Sequence, residues 1–285
     1  MSVIQETRSA GSMPSRPILV IGSSGKTGRR IAGLLADRGH QVRRAGRRTD
    51  PPFSWEQPST WPTVLDGVGS AYVAYAPDLA EPGAPARIEA LASCAIDSGV
   101  GHLVLLSGRG EHNAQRCEEI VRESGLSHTI IRAGWFAQNF SEGPLLESVR
   151  RGLIAMPAGQ VPEPFVDVAD IAEVAVAALT DDRHAARCYE LTGPRLLTFA
   201  EAAAEISAAA GYPVGYAAVT SDEFHVALSS EVGPQYADLL SDLCAEVFDG
   251  RNAELGHGIQ DALGREPRDF ADFCEAAASA GVWRR

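Results

Sequence analysis

The stretch ILVIGSSGKTGRRIAGLLADRGHQVRRAGRR, residues 18–48, decides the fold class. An apolar run leads into three glycines with the spacing G-x-x-G-x-x-G, and an amphipathic helical pattern follows them. This order is typical of the nucleotide-binding turn between a strand and a helix. Gly22 permits the tight turn, Gly25 lets the backbone approach a pyrophosphate, and Gly28 lets the helix pack closely on the strand. A purely structural turn is the alternative.

The helix after the glycines would point its free N–H groups at the phosphates of a dinucleotide. A Walker loop cannot be read here, because the required spacing of glycine, lysine and hydroxyl residue is missing. We therefore predict cofactor contacts from Gly22, Ser24, Gly25, Lys26, Thr27 and Gly28. Ala76, which ends the third predicted strand, is included as a further cofactor contact.

The second predicted strand ends in the basic run RRAGRR, residues 43–48. In NAD sites an acid about 20 positions after the glycines binds the ribose hydroxyls, and here no acid occurs before Asp50 in that run. Guanidinium groups suit a 2′-phosphate instead. We therefore predict that NADP(H) is preferred over NAD(H), with Arg47 as the main phosphate ligand and Arg48 or Arg43 assisting. A solvated basic edge is the alternative.

Composition narrows the class of protein. The 285 residues carry a net charge of −12, yet the first 50 hold ten basic and three acidic side chains. This argues against nucleic-acid binding and favours a local anion site. Five scattered cysteines without a CxxC pair indicate a reduced, cytoplasmic protein. Seven histidines show no metal-ligand spacing, so no metal is expected.

No apolar run is long enough for a membrane span, and the polar N-terminus lacks the core of a signal peptide. Residues 1–16 are expected to form a disordered tail. In the first half, apolar runs alternate with helical patterns, which predicts an α/β fold with a doubly wound parallel sheet. The predicted strands are Ile18–Gly22, Gln41–Ala45, Ser70–Ala76, His102–Ser107 and His128–Ala133. The predicted helices lie near Thr27–Arg38, Pro58–Leu65, Pro85–Ser98 and His112–Glu123.

The regular alternation ends after Phe140. We predict a dinucleotide-binding domain over residues 17–140 and, over 141–285, mainly a smaller α+β substrate lobe with segments that return to the sheet. Thr198 and Glu201 have the spacing of a helix capping box in this lobe. Ligands of open α/β sheets bind at the carboxyl edge, so the lobe is expected to cover that edge.

Three further stretches carry a family resemblance: HLVLLSGRGEHN (102–113), SGLSHTIIRAGWFAQNF (124–140) and PFVDVADIAEVAVAAL (164–179). With the glycine loop and the arginine-ended strand, they resemble the NmrA-like proteins, atypical members of the short-chain dehydrogenase/reductase superfamily. The resemblance implies a Rossmann domain with NAD(P)(H) in its cleft and a small C-terminal substrate lobe. The family contains reductases and also redox sensors that bind dinucleotide without turning it over. The branch that looks most similar includes quinone reductases, ergot-alkaloid-type reductases and tailoring enzymes of aromatic polyketides.

Conventional members of that superfamily use a Tyr-x-x-x-Lys pair to exchange a proton with substrate. Such a pair cannot exist here, because Lys26 is the only lysine and no tyrosine lies between Tyr75 and Tyr189. The reaction must then need little proton help or obtain it elsewhere. Conjugated substrates meet the first condition, since hydride addition gives a stabilised oxyanion, so little turnover of isolated ketones or alcohols is expected.

Several residues are candidates for acid–base work. By position, His112 and Arg116 replace the usual pair; His112 could act as a general acid, whereas arginine is a poor proton donor. The resemblance places Ser107 at the family's serine, which can bond a substrate oxygen. The alternative is that His112 and Arg116 merely begin a helix. Asp167 and Asp170 have the spacing and position of helix-capping residues rather than catalytic carboxylates.

The segment RAGWFAQNF, residues 132–140, follows the last predicted strand near the expected nicotinamide position. Its aromatic rings could stack on a flat substrate while its amides orient it. We therefore predict substrate contacts from Trp135, Phe136, Asn139 and Phe140. Packing of these side chains into the core is the competing explanation.

Taken together, the sequence predicts an NAD(P)H-dependent oxidoreductase that transfers hydride to a planar conjugated ketone or quinone, as in tailoring an aromatic secondary metabolite such as a polyketide. His112, Ser107 or water would deliver the proton. The expected partner is a planar small molecule, with no nucleic acid and no membrane, and the oligomeric state is left open. The alternative is a non-catalytic NAD(P)-sensing regulatory protein.

Overall fold

A parallel sheet of six strands, in the order β2-β1-β3-β4-β5-β7, organises the computed structural model, which describes residues 16–285. A second, two-stranded parallel sheet pairs β6 with β8. The strands are β1 Ile18–Ile21, β2 Val42–Ala45, β3 Ser70–Val73, β4 His102–Gly108, β5 Ser127–Ala133, β6 Leu153–Met156, β7 Arg187–Leu191 and β8 Gly215–Ala218. The order reverses beside β1, and this is the switch point at which such sheets bind ligands.

Twelve helices surround these strands over the described residues. They are α1 Lys26–Asp37, α2 Trp61–Leu65, α3 Ala84–Asp97, α4 His112–Glu123, α5 Asn139–Glu142, α6 Leu146–Arg151, α7 Val168–Thr180, α8 Phe199–Ala210, α9 Ser221–Val232, α10 Pro234–Val247, α11 Gly258–Leu263 and α12 Phe270–Ser279. Short 3-10 turns precede α2, at Pro58–Thr60, and β7, at Asp182–His184.

The sheet is apolar on both faces because successive side chains of a strand point in opposite directions. In β1, Leu19 and Ile21 belong to the core shared with α2, α3 and α4. Ile18 and Val20 belong to the core on the other face, shared with α1 and α7. All six strands run in the same direction, so their carboxyl ends meet at one edge of the sheet.

A separate core supports the C-terminal lobe. The rings of Phe140, Phe165, Phe199 and Phe270 cluster there, with centroid distances of 5.2–6.0 Å. The predicted capping box begins α8, since Thr198 and Glu201 each accept a backbone N–H of the other. Phe140 is completely buried in this cluster, which corrects its expected substrate contact; core packing is the correct alternative.

The predicted fold class is confirmed, and the differences are local. β3 ends at Val73, three residues before the predicted end, and the predicted helix from Pro58 begins as a 3-10 turn. β7 lies beside β5, so a segment of the second half does return to the sheet. The domain boundary at residue 140 stays a prediction, and the expected disordered tail falls almost entirely outside the described residues. No helix among residues 16–285 is long and apolar enough to cross a membrane.

Candidate dinucleotide and substrate site

The glycine loop has the tight geometry that its spacing predicts. Gly22 adopts a left-handed φ of +77° at the end of β1, and the Gly25 N–H donates to the Gly22 carbonyl over 2.9 Å. A β-carbon on Gly28 would lie 2.2 Å from the Gly22 carbonyl oxygen, so only glycine lets α1 begin here. The first turn of α1 therefore stands directly above the carboxyl end of β1. Its free N–H groups fit a pyrophosphate.

The hydroxyl residues of this loop differ in their surroundings. Ser24 is exposed. Thr27 is buried, and its Oγ1 accepts a hydrogen bond of 2.9 Å from the Tyr72 hydroxyl. This hydrogen bond helps to hold α1 against β3, while the backbone N–H and the hydroxyl proton of Thr27 are not used in it; the predicted cofactor contact of Thr27 stays a prediction.

Lys26 begins α1, but its side chain leaves the loop. Its Nζ donates to Asn139 Oδ1 over 2.7 Å, and both residues line the same cleft. Burial, together with the nearby positive charges of Arg29 and Arg30, lowers the pKa of Lys26 to about 8. The predicted cofactor loop and the predicted substrate segment thus meet through this lysine.

The arginines after β2 divide into two groups. Arg47 and Arg48 are exposed beyond the carboxyl end of the strand, where a 2′-phosphate could reach them. Arg43 instead donates to the carbonyls of Val64 and Asp66 at the end of α2, which corrects its expected assisting role. Ala76 is exposed and lies outside the cleft lining, to which its neighbours Tyr75 and Pro77 contribute.

A cleft of about 410 Å³ opens at the carboxyl ends of β4 and β5. Its sheet side includes Trp135, Phe136 and Asn139, three of the four predicted substrate residues. The facing wall comes from α9 and α10, which contribute Phe224, Leu228, Leu240, Leu243 and Val247. The cleft is largely apolar and adjoins the glycine loop, which is the arrangement expected of a substrate pocket beside a dinucleotide.

Ser107 lines this cleft at the end of β4 but is held by a buried acid. Its hydroxyl donates to Glu118 Oε1 over 2.7 Å. Glu118 is completely buried and also accepts from Arg132 and Arg122, at 2.6 and 2.8 Å. The hydroxyl proton of Ser107 is therefore directed to Glu118, while its oxygen atom can still accept a hydrogen bond in the cleft; its expected contact with substrate stays a prediction.

His112 and Arg116 lie outside the cleft. The His112 side chain is 76% exposed, and its Nδ1 contacts Glu246 of α10. Arg116 is also exposed and pairs with Glu119 of its own helix. Their expected catalytic roles are corrected in favour of the alternative, because α4 begins at His112 and turns both side chains away from the cleft.

Asp167 confirms the helix-capping interpretation by accepting the Ala169 N–H at the start of α7. Asp170, in the first turn, is fully buried and pairs with Arg265 and Arg268, so it ties α7 to the C-terminal segment rather than capping the helix. Among the described residues, no group of three His, Cys, Asp or Glu side chains could hold a metal ion.

Sequence reasoning missed the polar groups that are buried in the cleft without a partner. Within the described structure, Glu111 Oε2, Trp135 Nε1 and Glu163 Oε1 are buried, line the cleft and have no hydrogen-bond partner. Burial raises the pKa of Glu163 to about 8, although Arg109 opposes the shift. Buried polar atoms are normally paired, so these three are free to form hydrogen bonds with a molecule that enters the cleft. In the sequence, the signal that could have pointed to Glu111 was its position next to His112, the candidate general acid.

Fold and site together define a class of protein: one with a Rossmann-type fold whose dinucleotide loop adjoins a largely apolar cleft. The model of the NmrA-like family matches residues 113–270, which is more than half of the chain. The chain belongs to the NmrA-like family.

Two curated relatives span nearly its whole length. An NAD(P)H azoreductase of Xenophilus azovorans is 31% identical over 92% of this chain and 98% of its own. A (4-alkanoyl-5-oxo-2,5-dihydrofuran-3-yl)methyl phosphate reductase of Streptomyces griseus is 30% identical over 92% and 98%. The predicted family is confirmed. The predicted class of enzyme, an NAD(P)H-dependent oxidoreductase, is confirmed as well.

Solved structures share the fold. The triphenylmethane reductase of Citrobacter sp., complexed with NADP(H), superposes with a TM-score of 0.73 at 20% identity, covering 92% of this chain and 99% of its own. NmrA, a negative transcriptional regulator complexed with NAD, gives 0.71 at 15% identity, covering 95% and 97%. Reductases and a regulator thus have this architecture in common.

Proposed function

We propose that this NmrA-like oxidoreductase uses NADPH to reduce a planar conjugated ketone or quinone, as in tailoring an aromatic secondary metabolite such as a polyketide. One observation carries the proposal: an apolar cleft beside the glycine loop contains buried polar atoms, at Glu111, Trp135 and Glu163, that lack protein partners. A flat molecule with a few oxygen atoms would satisfy them. When bound, the reduced dinucleotide supplies the hydride.

The orphaned groups define the polarity of the substrate. Trp135 Nε1 can only donate, so it requires an acceptor such as a carbonyl oxygen. Glu163 is neutral near pH 7 because its pKa is raised to about 8, so its carboxyl group can donate as well as accept. Around them, Phe224, Leu240 and Leu243 offer apolar contact to a ring system.

The relatives are consistent with such a substrate. The name azoreductase indicates an azo bond as its substrate, and the name of the Streptomyces relative indicates an oxo-dihydrofuran. Both are electron-poor π-systems. We propose the same electronic character for the substrate of this chain.

The test is NADPH oxidation with 1,4-naphthoquinone, a conjugated cyclic ketone and an azo dye, for the parent and for Trp135→Phe. We expect turnover by the parent. Trp135→Phe keeps an aromatic ring but removes one donor, so KM should rise roughly threefold to tenfold, the effect of one hydrogen bond. Trp55→Phe is the matched control, because Trp55 is buried and is not among the residues that line the cleft. Tight NADPH binding without turnover on every compound would contradict the proposal and favour the sensor alternative.

Cofactor preference provides a separate prediction. Arg47→Ala should weaken NADPH binding by about tenfold to a hundredfold, since a charge-assisted hydrogen bond contributes roughly 1.5–3 kcal/mol, and should leave NADH binding unchanged. Calorimetry on both cofactors measures this. Arg38→Ala removes the same charge from an exposed position at the end of α1 and serves as the control. Equal affinities of the parent for NADPH and NADH would refute the assignment.

A further inference from the structure

Two carboxyl groups face each other in the cleft. Glu111 immediately precedes α4, and Asp78 lies in the loop after β3; both line the cleft and are close enough to share a hydrogen bond. Asp78 Oδ1 also accepts the Ala80 N–H over 2.9 Å. Two carboxylates can share a hydrogen bond only if one of them keeps a proton. The pair therefore holds one proton within the cleft.

The end of β4 leaves space for the Glu111 side chain. Its side chain is more than nine-tenths buried, its carboxyl group shares the hydrogen bond with Asp78, and its Oε2 accepts from no donor among the described residues. A β-carbon on Gly108 would lie 1.8 Å from Glu111 Oε1, so the absent side chain at residue 108 is what makes room for the carboxyl group. Glu111 thus occupies the sheet end next to Ser107, where the family pattern expects a group that contacts substrate.

The charges around the pair keep the proton in place. Burial raises the pKa of Glu111 well above its usual value, and the nearby Asp78, Glu246 and Glu118 raise it further. Burial also raises the pKa of Asp78, although the hydrogen bond from Glu111 opposes this. Burial, with smaller contributions from the charges of Glu118 and Glu111, raises the pKa of the Cys117 thiol in α4 to about 12, so it stays uncharged.

The groups contributed by α10 do not remove the proton from the Asp78–Glu111 pair. Tyr236 faces Asp78, and burial raises the pKa of its hydroxyl, so it is neutral at physiological pH. Glu246 is engaged by His112 and lies 3.6 Å from Arg251, which also pairs with Asp249. The Arg109 guanidinium, which lines the cleft, donates to Glu190 and to the carbonyls of Asn252 and Glu254 rather than to the pair.

We propose that the Asp78–Glu111 pair delivers the proton that completes the reduction. Glu111 is the catalytic residue, and Asp78 positions it and returns a proton to it. This rests on the proposed function. Hydride addition brings two electrons to the electron-poor carbon and leaves negative charge on the substrate oxygen. The O–H bond of Glu111 breaks as the O–H bond of the product forms, and solvent then returns a proton through the less buried Asp78.

The pair also revises the expected substrate range. Isolated ketones were expected to react poorly because a proton donor was missing, and general-acid catalysis is worth about 10²–10⁴-fold in rate. With Glu111 in the cleft, dependence on the acid should rise with the basicity of the product oxyanion. The rate on a quinone should depend little on Glu111, and the rate on a conjugated ketone should depend on it strongly.

The first test needs no turnover. The infrared spectrum of the ligand-free protein at pH 7 should contain the carbonyl stretch of a protonated carboxyl group that disappears in Glu111→Gln. Glu119→Gln, which changes an exposed acid of the same helix, should leave that band unchanged. The absence of any band specific to Glu111 would overturn the proposal.

The second test is the pH dependence of kcat/KM on the conjugated ketone. Activity of the parent should fall as pH rises through the pKa of the pair. Glu111→Gln should lower kcat by about 10²-fold or more with NADPH affinity within twofold of the parent. Asp78→Asn should move the fall to lower pH, because a negative neighbour no longer raises the pKa of Glu111, and it keeps the test valid if Glu111→Gln misfolds.

The two proposals fail differently. A parent that turns over, with Glu111→Gln equal to it in rate and pH profile, would overturn the role of the pair alone. A parent that binds NADPH but reduces no compound would overturn the proposed function, and the catalytic role of the pair with it.

Discussion

Gly28→Ala should abolish tight dinucleotide binding and destabilise the protein. The added β-carbon would stand 2.2 Å from the Gly22 carbonyl oxygen, and a backbone atom cannot rotate out of its way. The start of α1 must therefore move away from β1, at a cost of about 1–3 kcal/mol, as for other overpacked sites. The same movement withdraws the helix N–H groups from the pyrophosphate, so we expect affinity to fall by more than about tenfold. Urea unfolding and calorimetry with NADPH measure the two effects.

A second glycine of the same helix provides the control. A β-carbon on Gly33 would meet nothing within 4 Å. Gly33→Ala should therefore stabilise α1 by about 0.5–1 kcal/mol and leave NADPH affinity unchanged. Parent-like affinity in Gly28→Ala would show that the closeness of α1 and β1 does not set the phosphate site.

Glu118→Ala should lower the free energy of unfolding by about 3 kcal/mol or more, because breaking a buried ion pair typically costs about 3–5 kcal/mol. Glu118 is completely buried and accepts hydrogen bonds from Ser107, Arg122 and Arg132. The substitution leaves the Arg132 guanidinium, only a quarter exposed, with Glu190 as its remaining partner. Chemical denaturation of parent and variant at the same pH gives the difference.

Its neighbour in sequence calibrates that result. Glu119 pairs with Arg116 on the surface, and both side chains are more than half exposed. Exposed pairs contribute roughly 0–1 kcal/mol, so Glu119→Ala should change stability little. A loss below about 1 kcal/mol in Glu118→Ala would mean that the buried network does not hold α4 against β4 and β5.

The fold could be predicted because its signals are local. The glycine spacing, the apolar run before it and the alternation of strands with helices each depend on residues near one another in sequence. The capping box at Thr198 and Glu201 was legible for the same reason. The early end of β3 was not, because the apolar run continues past Val73 while pairing with the neighbouring strands stops there.

The site was less predictable because its assignment depends on which way a side chain points. Glu111 and His112 are consecutive, yet successive helical positions differ by about 100° in direction; α4 begins between them and sends one into the cleft and the other to α10. Likewise Trp135 reaches the cleft whereas Phe140 packs inside the lobe. Lys26 was assigned to the phosphates alone, and only the tertiary structure shows its contact with Asn139.

The closeness of Gly108 to the Glu111 carboxyl group limits which residues can occur together at these two positions in related sequences. Alanine at residue 108 would displace the Glu111 carboxyl group from its present position, because the methyl group and the carboxyl oxygens would need the same space. A side chain at residue 108 and this placement of the acid should therefore not occur together. Within the family, a side chain at the position of Gly108 would then mark members in which an acid at position 111 lies elsewhere.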